Sequence, residues 1–238
     1  MKKVLFLSVV FLVISCQKEV QLAQANHTID STLVDHSPVY IFLDTKGKDT
    51  IAEVNRKNTI GTTNWVFNVD KRLPLKVVIP EIIKLQEKRE KAQFHKNEAA
   101  GNYFSYMDSV QKTLAFMPFK EVNYTYNTYF STLYVKENPD YHVHFQTFAV
   151  NFKPKNKVSV DGNDVEMSEL LTFLKEYTSF SSNGKRILIY VNFDERLTFD
   201  HYLSKIIELK ALENEMVAIS PTHFIYNKSK LPDCDCAK

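Results

Sequence analysis

The stretch "NFDERLTFDHYLSKIIEL", residues 192–209, decides the fold because the chain carries a close copy of it earlier. Residues 68–85 read "NVDKRLPLKVVIPEIIKL", 124 positions before it and with no gap. Seven of the eighteen aligned pairs are identical: Asn68/Asn192, Asp70/Asp194, Arg72/Arg196, Leu73/Leu197, Ile82/Ile206, Ile83/Ile207 and Leu85/Leu209. Such an echo predicts either a pair of equivalent sites or one scaffold built twice.

Around the second copy, hydrophobic periodicity predicts the order β-β-α-β-α-β-β. Strands are predicted at "FAVNF" (148–152), "VSVDGNDV" (158–165), "RILIYVNF" (186–193), "MVAIS" (216–220) and "HFIYN" (223–227). Helices are predicted at "MSELLTFLKEY" and over the segment that carries Phe199, Tyr202, Leu203, Ile206 and Leu209 at helical spacing. The continuous apolar run at 186–193 is typical of a buried central strand.

This order resembles the periplasmic domain of the ExbD and TolR proteins, which are stator-associated subunits of proton-driven envelope motors. Two patterns carry the resemblance: V-x-V-D-G-x-x-V before the first helix and I-x-V-x-x-D before the second. It covers residues 146–228, and the repeat extends it to a diverged first copy at residues 38–125. The resemblance implies an α+β fold of two tandem domains, each a small mixed β-sheet with helices on one face. Residues 126–145 then form a connector and residues 229–238 a tail.

The first copy is less regular. Its sequence predicts a hairpin (39–44 and 50–54), a buried strand (64–70) and a helix after it, in which Pro80 should produce a kink or a restart near Ile79. The helix that would precede the buried strand is missing, and residues 55–63 replace it. Residues 99–118 resemble a helical insertion, and residues 122–150 are dense in Tyr, Phe, Thr and Val, as in strands.

The N-terminus predicts a lipoprotein. Lys2 and Lys3 precede an uncharged run, Val4–Ile14, that is too short to span a bilayer core of ~30 Å. The tetrad Val13-Ile14-Ser15-Cys16 resembles a bacterial lipobox, so residues 1–15 are predicted to be a signal peptide and Cys16 to be lipidated; an ordinary signal peptide or a short anchor is the alternative. Residues 16–37, polar and aperiodic, are predicted to be a flexible tether.

The same segment predicts the location. We expect the outer membrane, facing the periplasm, with the cell surface as the alternative because "QKE" after Cys16 resembles a surface-export signal. Cleavage lowers Lys+Arg from 30 to 28, which equals the 28 Asp+Glu. The near-neutral mature chain has no basic run or zinc-finger spacing, so nucleic acid is not an expected partner.

Cys234 and Cys236 lie near the C-terminus. A Cys-x-Cys disulfide would be strained, and two thiolates do not close a metal site. The favoured interpretation is a tail whose thiols pair locally or with another chain.

Two sets of polar residues are candidate sites. Asp70 with Arg72 and Asp194 with Arg196 end their strands just before a helix, where each Asp could be half of a binding pair or an acceptor for free N–H groups at the turn and helix start. We favour the structural role, because the neighbouring polar residues differ between the copies. His142 and His144 should share one face of a strand, as a solvent-facing pair or the beginning of a metal site.

The sequence therefore predicts a protein that binds rather than catalyses, with no cofactor and no metal. Motor subunits of the ExbD and TolR type carry an acidic residue in an N-terminal membrane helix, and Val4–Ile14 contains none. The resemblance thus implies an accessory envelope protein whose partners are a TonB- or Tol-type protein or peptidoglycan. Since both copies lie in one chain, we expect a pseudo-dimeric monomer. The alternative is a metal-dependent or hydrolytic lipoprotein that uses His142 and His144.

Overall fold

The computed structural model of the chain describes residues 18–91, 97–127, 130–182 and 184–231. Within them the fold is mixed α+β, with two six-stranded mixed sheets and five α-helices. The first sheet contains β1 (Gln24–Ala25), β2 (His36–Lys46), β3 (Asp49–Asn55), β4 (Asn64–Val69), β5 (Asn102–Asp108) and β6 (Leu114–Pro118), with α1 (Leu75–Glu90) between β4 and β5. The second contains β7 (Asn123–Asn127), β8 (Phe145–Lys153), β9 (Lys157–Val160), β10 (Asn163–Val165), β11 (Arg186–Asp194) and β12 (Val217–Tyr226). Its helices are α2 (Ser131–Glu137), α3 (Pro139–His142), α4 (Leu170–Ser181) and α5 (Phe199–Lys210).

The two sheets repeat one topology. In each, a hairpin strand pairs in parallel with a central strand, a helix follows, and the next strand pairs in parallel on the other side. β2, β3, β4, α1 and β5 thus correspond to β8, β9, β11, α5 and β12. The helix α4 has no counterpart, since a loop occupies residues 56–63. The repeated segment, residues 68–85 and 192–209, therefore occupies the same place in both sheets.

The central strand β11 is buried on both faces. Ile187, Ile189 and Val191 point into the main core with residues of α4 and α5, whereas Leu188 and Tyr190 pack on the other face against α2. The part of the strand over residues 187–191 is therefore apolar on both faces, as its sequence predicted. The expectation that helices cover one face only is wrong for this sheet.

One hydrophobic core joins the repeats. Buried side chains of both sheets, of α1 and of α5 belong to the same contact cluster. At its centre the rings of Phe104 and Phe199 meet edge to face, with centroids 5.2 Å apart. The halves are therefore packed as closely as the layers of one domain.

Residues 99–118 form a β-hairpin, β5 with β6, and not the predicted helical insertion. Phe104 and Tyr106 point into the core at alternate positions, and Lys112 takes a left-handed conformation in the turn (φ 58°). Burial of alternate aromatic side chains outweighs the local helical propensity of the segment.

Residues 18–37, predicted to belong to a flexible tether, instead pack on the first sheet. β1 pairs with the end of β5, and Asp30 exchanges both backbone hydrogen bonds with Phe116 of β6. Lys18 forms ion pairs with Asp44, at 2.7 Å, and with Glu53. The described residues are therefore packed on the first sheet from Lys18 onward.

The described residues of the predicted connector (126–145), which are 126–127 and 130–145, are also structured. They contain the end of β7, the short helices α2 and α3 and the beginning of β8. β7 pairs in parallel with β12 and so belongs to the second sheet.

The helix α1 continues through Pro80 without a break. Proline has no N–H, so the carbonyl oxygen of Lys76 loses its intrahelical donor. The Tyr126 hydroxyl takes its place and donates to that oxygen at 3.1 Å. A contact between the repeats thus compensates the helix for its proline.

Candidate functional site

The two Asp-x-Arg motifs have the same geometry. Asp70 Oδ1 accepts from the backbone N–H of Arg72 at 3.1 Å and from its Nε at 2.9 Å, and Oδ2 accepts from Nη2 at 2.7 Å. The corresponding distances between Asp194 and Arg196 are 3.0, 2.8 and 2.8 Å. Both carboxylates are buried, and both guanidinium groups are exposed on one side. Each motif is thus a turn closed by its own ion pair.

The aspartates accept hydrogen bonds at the turn but do not cap the helices. The N-cap of α5 is Thr198, which accepts from the His201 N–H, and that of α1 is Pro74, which has no side-chain bond. The expected role at the helix start is therefore wrong, whereas the acceptor role at the turn is present. Burial alone would raise the pKa of Asp70, but the hydrogen bonds from Arg72 outweigh it and hold the pKa below its usual value.

The segments that follow these motifs, residues 71–76 and 195–200, meet in what we call the reciprocal seam. The Leu75 N–H donates to the Leu197 carbonyl and the Phe199 N–H to the Leu73 carbonyl, both at 2.8 Å. A second exchange, outside the first, joins Lys76 to Glu195 at 2.8 Å and Asp200 to Lys71 at 3.0 Å. Each bond has its mate 124 residues away, as across the two-fold axis of a dimer. First-turn N–H groups of each helix are thus satisfied by the other repeat.

The structure does not bring His142 and His144 together on a strand. His142 ends α3 and is buried, whereas His144 lies exposed in the turn before β8. The His142 Nδ1 lies 2.6 Å from the Asn138 carbonyl oxygen, and Nε2 lies 2.6 Å from the Tyr190 hydroxyl. The first contact requires a proton on Nδ1, so in the neutral ring Nε2 accepts from the Tyr190 hydroxyl. The predicted strand geometry and the solvent-facing position of His142 are both wrong.

A hydrogen-bonded chain of three polar side chains, of which Tyr202 and His223 are buried and Tyr124 is partly buried, was not predicted from the sequence. The Tyr124 and Tyr202 hydroxyl oxygens lie 2.9 Å apart, and that of Tyr202 lies 2.8 Å from Nδ1 of His223. Burial lowers the pKa of His223 to about 3 and raises those of both tyrosines. The chain links β7, α5 and β12, and its groups stay uncharged near neutral pH.

A cavity of about 410 Å³ opens at the end of α1, which sequence reasoning also missed. Its wall includes Trp65 and Arg89, whose guanidinium carbon lies 4.8 Å from the indole centroid. Arg56, Thr59 and Gly61 also line it, in the loop that replaces a helix in this repeat. The sequence signals available were the single tryptophan of the chain and an arginine where the other repeat has Glu213.

Three further observations concern candidate chemistry. The described part of the chain contains no group of three or more His, Cys, Asp or Glu side chains placed to hold a metal ion. The predicted lipidation site Cys16, and Cys234 and Cys236, lie outside the described residues. Of the described helices, none has the length and apolar character needed to cross a bilayer.

Comparison of the chain with protein-family models, with curated proteins and with solved structures finds no match.

Proposed function

We propose that the chain is a non-enzymatic, lipid-anchored accessory protein of the cell envelope, in which two domains related to ExbD and TolR form a fixed binding pair. The observation that carries the proposal is the reciprocal seam. It holds two copies of one topology in the relation that the subunits of a dimer would have. Because both copies lie in one chain, their pairing does not depend on the expression level. A pair fixed in this way suits a protein that holds a partner.

The residues behind the family resemblance support the relationship. The V-x-V-D-G pattern contains the turn between β9 and β10, where Asp161 (φ 48°) and Gly162 (φ 87°) both take positive φ, as in a two-residue hairpin turn. The Asp161 carboxylate also accepts from the Ala149 N–H at 2.8 Å and thereby extends the pairing of β8 with β9. The I-x-V-x-x-D pattern is β11 with the buried Asp194 at its end.

The polar residues that suggested chemistry are committed to structural contacts. Asp70 and Asp194 each hold an arginine and a backbone N–H, and His142 is held between Asn138 and Tyr190. We therefore favour binding over hydrolysis at these positions. The partner is a TonB- or Tol-type envelope protein or peptidoglycan, and the anchor is a lipid on Cys16 in the outer membrane, facing the periplasm.

Crosslinking in intact cells, followed by identification of the captured component, tests the partner. The matched control is Cys16→Ala, which should leave an unprocessed precursor and lose the crosslink. Capture of a TonB- or Tol-type protein or of cell-wall material that depends on Cys16 is the expected result. Processing and fractionation of Cys16→Ala like the parent would refute the anchor.

Metal analysis of the purified protein tests the class of function. A hydrolytic lipoprotein that used His142 and His144 would hold zinc or iron in stoichiometric amounts. Such a metal content would contradict the proposal of a non-enzymatic binding protein.

A further inference from the structure

The cavity at the end of α1 contains a cationic group with neutral partners. Arg89 donates from Nη1 to the Asn102 side-chain oxygen at 3.1 Å and from Nη2 to the Thr63 carbonyl at 2.8 Å. Its guanidinium also contacts the face of Trp65. Among the residues that the structure describes, no carboxylate forms an ion pair with it. Arg89 is thus fixed in position but not neutralised.

This arrangement leaves N–H donors of Arg89 that a ligand could use. An arginine has five N–H donors in a rigid fork, and these two bonds use one from each terminal nitrogen. The side chain is half-buried, and burial lowers the pKa of Arg89. A partly desolvated charge is stabilised when an anion forms a bidentate pair with it.

The surroundings limit the ligand. A volume of 410 Å³ lies in the usual range for small-molecule sites, roughly 300–1,000 Å³. Basic and acidic residues both line the cavity: Arg56, Lys88, Lys120, Glu90, Glu98 and Glu121. A doubly charged anion would meet these acids, whereas a single carboxylate in the Arg89 fork balances one cation. The mixed lining therefore favours a monoanion.

The pair of Trp65 and Arg89 is absent from the other repeat, although a cavity of about 400 Å³ opens at the corresponding end of α5, beside Leu212 and Asn214. At the 124-residue offset, Trp65 corresponds to Ile189 and Arg89 to Glu213, which pairs with Lys210 at 3.0 Å. The Asp-x-Arg turns and a cavity at the end of the helix occur in both repeats, whereas the arginine and the tryptophan in the cavity wall occur in the first repeat alone. The common fold accounts for the cavity but not for these two side chains.

We propose that this cavity binds a small organic molecule through one carboxylate, held in the fork of Arg89. The site lies in one repeat and needs neither the lipid anchor nor an envelope partner. A test of this site is therefore independent of a test of the function proposed above.

The test titrates the purified protein at constant ionic strength with N-acetylalanine, with N-acetylalaninamide and with inorganic phosphate. Trp65 is the single tryptophan, so its fluorescence reports on the cavity, and thermal shift gives a second readout. We expect saturable binding of N-acetylalanine, none of the neutral amide and weaker binding of phosphate. Arg89→Gln should weaken binding at least about tenfold, since a hydrogen bond to a charged group contributes roughly 1.5–3 kcal/mol. Lys84→Gln, an exposed position on the same helix, should bind like the parent.

A second variant keeps Arg89 in place, in case Arg89→Gln destabilises the end of α1. Gly61 lines the cavity, and a Cβ added there would meet no atom within 4 Å. Gly61→Phe should therefore fold, fill the cavity and abolish binding. The proposal is overturned by binding that survives in either variant, by equal binding of the amide, by tighter binding of phosphate, or by no response of the parent protein.

Discussion

At the scale of single residues, the Asp-x-Arg turns show how a repeated polar motif can be scaffold. In each turn the carboxylate is buried while the arginine side chain keeps about half of its surface exposed, 47% for Arg72 and 62% for Arg196. The partners are therefore not equivalent. Removal of the aspartate leaves an arginine that water can solvate, whereas removal of the arginine leaves a buried carboxylate without its counterion.

This asymmetry predicts the order of two substitutions. Asp70→Ala and its equivalent Asp194→Ala should each lower the free energy of unfolding by about 1–2 kcal/mol, the range for one lost turn acceptor. Arg72→Ala should cost more at pH 7. Urea denaturation measures all three.

The pH dependence distinguishes the two effects. The pKa of Asp70 is lowered in the folded protein, so its ion pair stabilises the fold above the usual aspartate pKa and the stabilisation is lost as pH falls through the folded value. The deficit of Arg72→Ala should accordingly shrink below about pH 4. If Arg72→Ala lost the same free energy of unfolding at pH 7 and at pH 3.5, the loss would not come from a buried carboxylate without its counterion.

His223 predicts a second pH effect at milder acidity. Its folded pKa, about 3, lies below the unfolded value, so the unfolded chain takes up the proton first. Stability should be constant above pH 6.5 and fall by about 2 kcal/mol between pH 6.5 and 5 for this histidine. Burial also lowers the pKa of His201, which adds a loss of the same sign.

The measurement is urea denaturation at pH 7.5 and pH 5. His223→Gln should lose stability at pH 7.5 and show a smaller further loss at pH 5 than the parent. His144→Gln, at an exposed position, is the matched control and should follow the parent. An unchanged pH slope in His223→Gln would refute the assignment.

At the scale of secondary-structure elements, the sequence correctly predicted the strands and helices whose hydrophobic pattern and turn signals lie within the element itself. The strands β2, β3, β4 and β11, the helix α5 and the missing helix of the first repeat agree with periodicity and turn signals. The hairpin of β5 and β6 was missed because burial of Phe104 and Tyr106 in a core formed elsewhere decides its conformation. Pro139, at the first position of α3, was an available signal against a strand through His142.

The candidate sites divide in the same way. Each Asp-x-Arg turn is local in sequence, so its structural role could be inferred from the residues alone. The Arg89 cavity and the chain from Tyr124 to His223 join residues far apart in sequence. The spacing of residues along the sequence does not indicate contacts that only the tertiary fold creates.

Pro80 gives a prediction about one helix. In the parent, the Tyr126 hydroxyl supplies the donor that Pro80 denies to the Lys76 carbonyl. Tyr126→Phe should therefore cost about 1 kcal/mol of unfolding free energy. In a Pro80→Ala background the new N–H can serve that carbonyl, so the same substitution should cost less.

A double-mutant cycle measured by urea denaturation gives this coupling. Tyr126 also lies 3.3 Å from Glu195, so Glu195→Gln serves as a control that leaves the helix unchanged. Equal costs of Tyr126→Phe in both backgrounds would show that the hydroxyl does not compensate for the proline.

At the scale of the whole molecule, one core and the reciprocal seam make each repeat depend on the other. A fragment of residues 120–231 contains all strands of the second sheet but exposes Phe199 and the seam. We expect this fragment to self-associate through that face, and residues 18–231 to be monomeric. Light scattering across a range of concentrations measures both. A stable dimer of residues 18–231, or a strictly monomeric fragment, would contradict internal pairing.

The seam also sets the valency of the molecule. A homodimer presents every surface twice and can engage two identical ligands, one on each side of its axis. Here the two sides are joined by the same reciprocal bonds but have diverged, so the cavity wall with Arg89 and Trp65 occurs on one side and the extra helix α4 on the other. Each of these surfaces therefore occurs once per molecule, so that one molecule offers a single site of each kind.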